Sequence, residues 1–165
     1  MANVGQTGRA FPQNQVGPAP FLGWLPRKLW RRAKDFFVYS AEFIPLALSA
    51  TATFETAIQA DSDFLCVAVS RLVTAVDNTT FIANVPQLVT IFDAGSGRNL
   101  MDRAIHIDNI MGTGQLPSYW PMPKIFRANS TITTTVQNLE ATARNVRIAY
   151  LGFKVFDYPM DAMGA

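Results

Sequence analysis

From Ser49 onward the chain is cut into short runs of β-branched, aromatic and aliphatic residues, each closed by a turn cluster before a helix of ordinary length could form. Alternation is clearest at the start. Ala52, Phe54, Thr56 and Ile58 fall on one side, and Thr51, Thr53, Glu55 and Ala57 on the other. Asp61, Ser62 and Asp63 mark a turn, after which Phe64 to Val69 is apolar on both faces, as in a strand covered on both sides. Asp77 to Thr80 breaks that run, and Gln87 to Asp93 forms a further strand ended by residues 94–99. Within residues 105–110 a short alternation sets Ile105 and Ile107 opposite His106 and Asp108. Residues 111–117 read as a loop, and Pro121 and Pro123 predict an irregular path beyond Trp120. Asn129 and Ser130 turn the chain into a strand over 131–139, with Ile132, Thr134 and Val136 facing together. Residues 144–156 close the body with a long strand, bulged at Gly152. Roughly seven or eight strands at intervals of about ten to fifteen residues, with no interior helix, predict an all-β fold. The expected architecture is a jelly-roll-like antiparallel β-sandwich.

What precedes the body is different in kind. Residues 1–34 carry six basic side chains and no acidic one, leaving eight basic and twelve acidic groups to residues 35–165, or +6 against −4. A basic, Gly/Pro-rich leader on a mildly acidic body predicts an extended N-terminal arm over 1–38, a sandwich domain over 39–158 and a tail over 159–165, with the boundary near 34–39. Up to Pro20 the arm holds too little apolar surface to offset its ordering entropy and is expected to be extended, mobile or ordered only against a partner. Phe21, Trp24, Leu25, Leu29 and Trp30 then concentrate apolar area among Arg27, Lys28, Arg31, Arg32 and Lys34, and these ten are the candidate partner-binding residues. Spacing allows a short basic helix over 26–37: Pro26 suits a first helical position, and Leu25, Leu29, Ala33 and Phe37 share a face. Docking on an acidic protein surface is the reading Trp and Arg favour. Contact with nucleic-acid phosphates, packing of the helix on its own domain, and a membrane-surface helix are its rivals.

Catalytic chemistry has little to work with. The single cysteine, Cys66, excludes an internal disulfide, and the single histidine, His106, excludes a His-rich metal site. Cys66 lies in the most apolar run and reads as a buried, inert thiol. His106 and Asp108 could pair, but no Gly-x-Ser-x-Gly elbow supplies a nucleophile. Gly95 to Gly97 and Gly112 to Gly114 lack the continuation of a phosphate loop and read as turns. Asp61 and Asp63, without a third ligand, amount to a turn. No enzyme activity and no cofactor are expected. The chain shows neither a run long enough to span a membrane nor a charged head followed by an apolar stretch, so neither a membrane partner nor a secretory signal is expected.

The last strand is apolar on both faces, with Val146, Ile148 and Tyr150 on one and Leu151, Phe153 and Val155 on the other. Either the second face meets another subunit, making Leu151, Phe153 and Val155 an oligomer face, or the strand is central in its own domain.

Several segments resemble small virion structural proteins of tailed bacteriophages: Gly97-Arg98-Asn99-Leu100 after a strand, the Gly112 to Pro117 loop, the stretch around Pro121 and Pro123, Ala128-Asn129-Ser130 opening a strand, and the final strand from Val146 to Lys154. The resemblance covers residues 50–156 and leaves out the arm. It implies a β-sandwich that decorates or cements a capsid, or serves as a minor head or neck component. Made in the host cytoplasm, such a protein would reside in the virion and take the major capsid protein or other virion proteins as partners. A homo-oligomer, most simply a trimer, is expected. Neck, tail or fibre-adaptor roles are the alternatives, as is a carbohydrate-binding sandwich for attachment, with Tyr119 and Trp120 as a stacking platform.

Overall fold

A computed structural model describes residues 32–159. The strands are β1 (Arg32–Leu46), β2 (Thr51–Ala57), β3 (Asp63–Thr74), β4 (Gln87–Asp93), β5 (Arg98–Asn99), β6 (Ile105–His106), β7 (Gly112–Thr113), β8 (Ser118–Phe126), β9 (Thr131–Asn138) and β10 (Arg144–Pro159). In the first sheet the order is β1-β10-β3, with β8 antiparallel and the two-residue β7 parallel along the free side of β3. In the second it is β2-β9-β4, flanked by β5 and β6. Successive long strands therefore fall in opposite sheets, and the last strand returns beside the first. That winding defines a jelly-roll β-sandwich.

Period-2 patterning places the core. β4 and β9 alternate strictly between buried and half-buried positions, so Val89, Ile91, Ile132 and Val136 point between the sheets. From the first sheet come Tyr39, Ala41 and Phe43 of β1, Val146, Ile148 and Tyr150 of β10, and Phe64 of β3. Aromatic rings run through the interior: Tyr39 meets Phe64 edge-on at 4.8 Å, and Phe64 stacks on Phe126 at 6.5 Å. Thr134 of β9 and Tyr150 of β10 share a hydroxyl hydrogen bond of 2.6 Å across the buried gap between sheets. Burial pushes the Tyr150 phenol well above its ordinary range. Removing either hydroxyl alone, by Tyr150→Phe or Thr134→Val, should cost about 1–3 kcal/mol because the partner is left orphaned. The double variant should recover part of that loss in urea melts.

Several expectations need correction. The helix allowed over 26–37 is not formed over 32–37, which belong to β1; residues 26–31 lie outside the described residues. Tyr39, Ala41 and Phe43 face the core while Phe36 and Val38 are exposed, a two-residue period that helical spacing cannot satisfy. β1 thus occupies the span in which composition placed the boundary between arm and body. The alternation at 105–110 is a two-residue strand followed by a 3-10 turn, Ile107–Asn109. Pro121 and Pro123 lie within β8, which β3 pairs on one side; the pairing skips from Tyr119 to Lys124, so neither proline needs to donate to the ladder. The bulge at Gly152 is present, between Leu151 and Gly152.

Cys66 is fully buried in β3, its thiol donating to the Ala68 carbonyl at 3.4 Å, and burial pushes its pKa up to about 12. A thiol so seldom ionised should stay unreactive toward a disulfide reagent at mildly alkaline pH and titrate fully once the protein is unfolded.

Candidate interaction surface

The outer faces of the two sheets differ in chemistry. On the second sheet, Thr51, Thr53 and Glu55 of β2 lie opposite Gln137, Thr135 and Thr133 of β9, and Thr90 of β4 continues the row. Thr53 and Thr135 share a hydroxyl hydrogen bond of 2.9 Å. Such a face is at home in water.

On the first sheet, register builds an apolar strip. One row runs Phe36, Phe153, Leu65, Ile125 across β1, β10, β3 and β8, and the next runs Val38, Leu151, Ala68, Tyr119. Val155 sits between Lys34 and Asp63 at the outer end. Toward the other end the face turns polar with Ser40 and Ser70, then charged where Arg147 reaches Glu42 at 4.0 Å. At neighbouring-strand spacing the strip is roughly 15 Å across. Phe36 and Phe153 meet edge-on at 6.1 Å. Leu65, Val67, Ala68 and Val155 form a second buried cluster here, separate from the interior, with Ile125, Leu151 and Phe153 packed against it.

All three residues of the expected oligomer face, Leu151, Phe153 and Val155, therefore lie on this strip, and β10 is at the same time central in its own sheet. Sequence reading missed Phe36, Val38 and Ile125; the signal for the first two was the run Phe36 to Tyr39, apolar on both faces, while Ile125 among the prolines of β8 had none. Of the arm candidates, Arg32 and Lys34 are within the described residues. Arg32 bridges Asp157 at 2.7 Å, and Lys34 donates to the Arg32 carbonyl at 3.0 Å while burial pushes its ammonium pKa down. Phe21, Trp24, Leu25, Arg27, Lys28, Leu29, Trp30 and Arg31 lie outside the described residues.

Other candidates resolve into structural roles. His106 Nδ1 is 3.8 Å from Asp108, whose carboxylate is held by Arg71. Asp61 accepts from Lys154 at 2.9 Å, and Asp63 accepts from Arg127 at 3.0 Å, so each carboxylate has its own cation. Lys154 also sits over the Phe37 ring at 4.6 Å. No group of three or more His, Cys, Asp or Glu suited to a metal occurs among the described residues. Among them no helix is long and apolar enough to cross a membrane. Tyr119 and Trp120 are consecutive in β8 and point to opposite faces, Tyr119 exposed and Trp120 packed against the interior. They cannot form one stacking platform.

By topology the chain is a jelly roll with one solvated and one apolar outer face. No family model matches its sequence, and no curated protein matches it. Among solved structures, it is similar to the infectious bursal disease virus VP2 subviral particle, at 15% identity and a TM-score of 0.39 over 78% of this chain. It spans about a third (34%) of that chain's length.

Proposed function

We propose that the protein is a non-enzymatic structural component of a virion, a phage decoration or cement protein whose N-terminal arm engages neighbouring shell subunits. The observation that carries this reading is the apolar strip on the first sheet, where Phe36, Val38 and Tyr119 are exposed beside the buried Leu65 and Val155, since an exposed apolar patch rimmed by polar residues marks a contact with another macromolecule. The contrast with the threonine face of the second sheet supports a one-sided contact. The jelly-roll fold hosts many functions and does not decide among them. The resemblance of residues 50–156 to tailed-phage virion proteins directs the reading to a shell. A basic arm on an acidic body suits a segment that reaches away from its own domain, with Trp24 and Trp30 as anchors and Arg27, Lys28, Arg31 and Arg32 as charge partners. Many weak copies on a lattice, arranged as trimers, would reinforce the shell by multivalency.

Co-sedimentation of the full chain with empty shells and, separately, with duplex DNA tests the proposal. Saturable shell binding at many copies per particle, persisting at moderate salt, is the expected result. Binding to DNA alone, falling steeply with salt, would overturn it in favour of a nucleic-acid role. A count of only a few copies per purified particle would move the protein to the neck or tail.

A further inference from the structure

The two ends of the sandwich differ as much as its two faces. At the end where β1 begins, four carboxylates each hold a cation: Asp61 with Lys154, Asp63 with Arg127, Asp93 with Lys124 and Asp157 with Arg32. At the other end the loops carry exposed apolar tips: Leu48 between β1 and β2, Val76 and Phe81 between β3 and β4, Leu116 between β7 and β8, and Leu139 between β9 and β10. Phe81 and Leu116, at 72% and 79%, are the most exposed large apolar side chains among the described residues. The loops that hold these tips outward are stitched to one another. The buried Asn138 amide donates to the carbonyls of Ala47 at 3.1 Å and Thr142 at 2.8 Å, and the buried Asn145 amide to those of Ala75 at 3.2 Å and Val76 at 3.3 Å. The Ser49 amide donates to the Glu140 carbonyl at 3.0 Å, and the Leu139 amide to that of Pro86 at 2.9 Å. An apolar surface fixed in this way loses little entropy on docking. The loop after β3 returns beside it, Phe81 bridging Thr74 and the Ile82 amide donating to the Val73 carbonyl at 3.0 Å. Between that return and the turn after β7 lies a groove of about 490 Å³, with Leu72, Val73, Phe81 and Ile82 along one side and Thr113 and Gln115 along the other.

We infer that this end is a self-association surface whose occupant is the same end of a second copy, Leu48 of each chain entering the groove of the other. Sheet order carries the argument. Leu48 lies at the β1–β2 edge of the sandwich, and the groove lies on the far side of β3, with β10 between. That separation is at least two strand spacings, roughly 10 Å. A twofold axis along the sheet normal exchanges the two edges, so knob meets groove twice in one isologous contact and Val76 and Leu139 come together toward the axis. Area agrees. With Ile44 and Leu72 added, the exposed apolar side chains at this end offer on the order of 400 Å². That is close to the apolar share of one side of a standard interface, which buries ~800 Å² per partner. Charge agrees too: Arg71 pairs with Asp108, Arg144 with Glu140 and Arg147 with Glu42, while the Asp77 carboxylate accepts from the amides of Thr79 and Thr80. Two such ends meet without like-charge repulsion, and these arginines leave no excess positive charge to select a nucleic acid or an anionic lipid. The contact is separate from the apolar strip of the first sheet, and the inference holds whether or not the chain belongs to a virion.

The test uses the full chain. Sedimentation equilibrium at tens of micromolar should give a dimer or a multiple of one. Phe81→Asp should raise the dissociation constant of that pairing roughly thirtyfold or more, as loss of an aromatic anchor does. Val38→Asp, on the first sheet's strip, should leave it unchanged. Both positions are exposed, so urea midpoints near the wild-type value are expected for each variant. A monomer or a trimer at every concentration would overturn the inference, as would a pairing lost with Val38→Asp and kept with Phe81→Asp. A monomer that pellets with phosphatidylcholine vesicles would make this end a bilayer contact and overturn it as well. As a second measurement, chains carrying Leu48→Cys are mixed with chains carrying Ala83→Cys, a groove position, and treated with a short bismaleimide; the native Cys66 is buried and stays unmodified. A product joining the two different variants is expected, with little from either alone. A product from Leu48→Cys chains by themselves would show that copies meet edge to edge, and no product at all would show that Leu48 does not reach the groove; either result refutes the pairing. Neither readout depends on shell binding, so failure of the virion reading and failure of this one are distinguishable.

Discussion

Replacing Gly152 by alanine is expected to lower the unfolding free energy by about 3 kcal/mol or more, because the added carbon has no room and its neighbours are backbone. A Cβ there would lie 2.0 Å from the Leu65 carbonyl oxygen, 2.8 Å from its carbon and 2.9 Å from Cys66 Cα. Those atoms belong to β3 at the step where the register with β10 shifts. Both strands are central, so they cannot part without disturbing β1 on one side and β8 on the other. Leu151 and Phe153, which flank the glycine, would move with it and break the apolar strip. Gly114→Ala provides the contrast, since nothing lies within 4 Å of the added carbon. Its effect should stay within about 0.5 kcal/mol. Urea denaturation midpoints measure both. An unchanged midpoint for Gly152→Ala would mean that the strands are not held together at this bulge.

Asp93→Ala should be nearly as damaging, by about 3–5 kcal/mol, since it removes one partner of a buried ion pair. The carboxylate is 1% exposed at the end of β4. It accepts from the Gly95 amide at 3.0 Å and the Ser96 hydroxyl at 2.5 Å, and pairs with the Lys124 ammonium at 2.6 Å. Lys124 belongs to β8, so this one side chain fixes the turn after β4 and ties the second sheet to the first. Burial by itself would push its carboxyl up, but the Lys124 ammonium and the Ser96 hydroxyl outweigh burial and hold the pKa below the ordinary value. A depressed native pKa means that the unfolded state binds the proton first. The stabilisation is therefore complete above the unfolded value of about 3.9 and is lost as pH falls through the native one. Asp93→Asn should retain the turn contacts and flatten that acid limb. If melts of the wild type and Asp93→Asn fall in parallel below pH ~4, the ion pair contributes nothing to acid stability.

Legibility in the sequence followed the locality of the signal. β4 could be read to its ends because its alternation is strict and turn residues close it. β9 and the bulge in β10 were legible for the same reason. β1 was not. Its first residues carry the basic composition of the arm, and Leu25, Leu29, Ala33 and Phe37 happen to fit helical spacing as well. What makes residues 32–37 a strand is the open edge of β10, a partner more than a hundred residues away in sequence. β8 was obscured by prolines that an unpaired stretch of edge strand tolerates. The candidate surface was half legible: Leu151, Phe153 and Val155 stood out as a second apolar face, but nothing local said which residues would lie beside them.

By itself, then, the sequence determined an all-β chain of alternating strands, an inert Cys66, and a charge contrast between residues 1–34 and 35–165, because hydrophobic period, turn chemistry and charge are properties of neighbouring residues. Tertiary structure alone decided which strands became neighbours. Cross-strand register brought Phe36, Phe153, Leu65 and Ile125 from four separate segments into one row, and gave the first sheet an apolar strip on its outer face while Thr51, Thr53, Thr133 and Thr135 line the outer face of the second. Side chains opposite one another on a sheet share no period along the chain, so that juxtaposition exists only once the strands are paired.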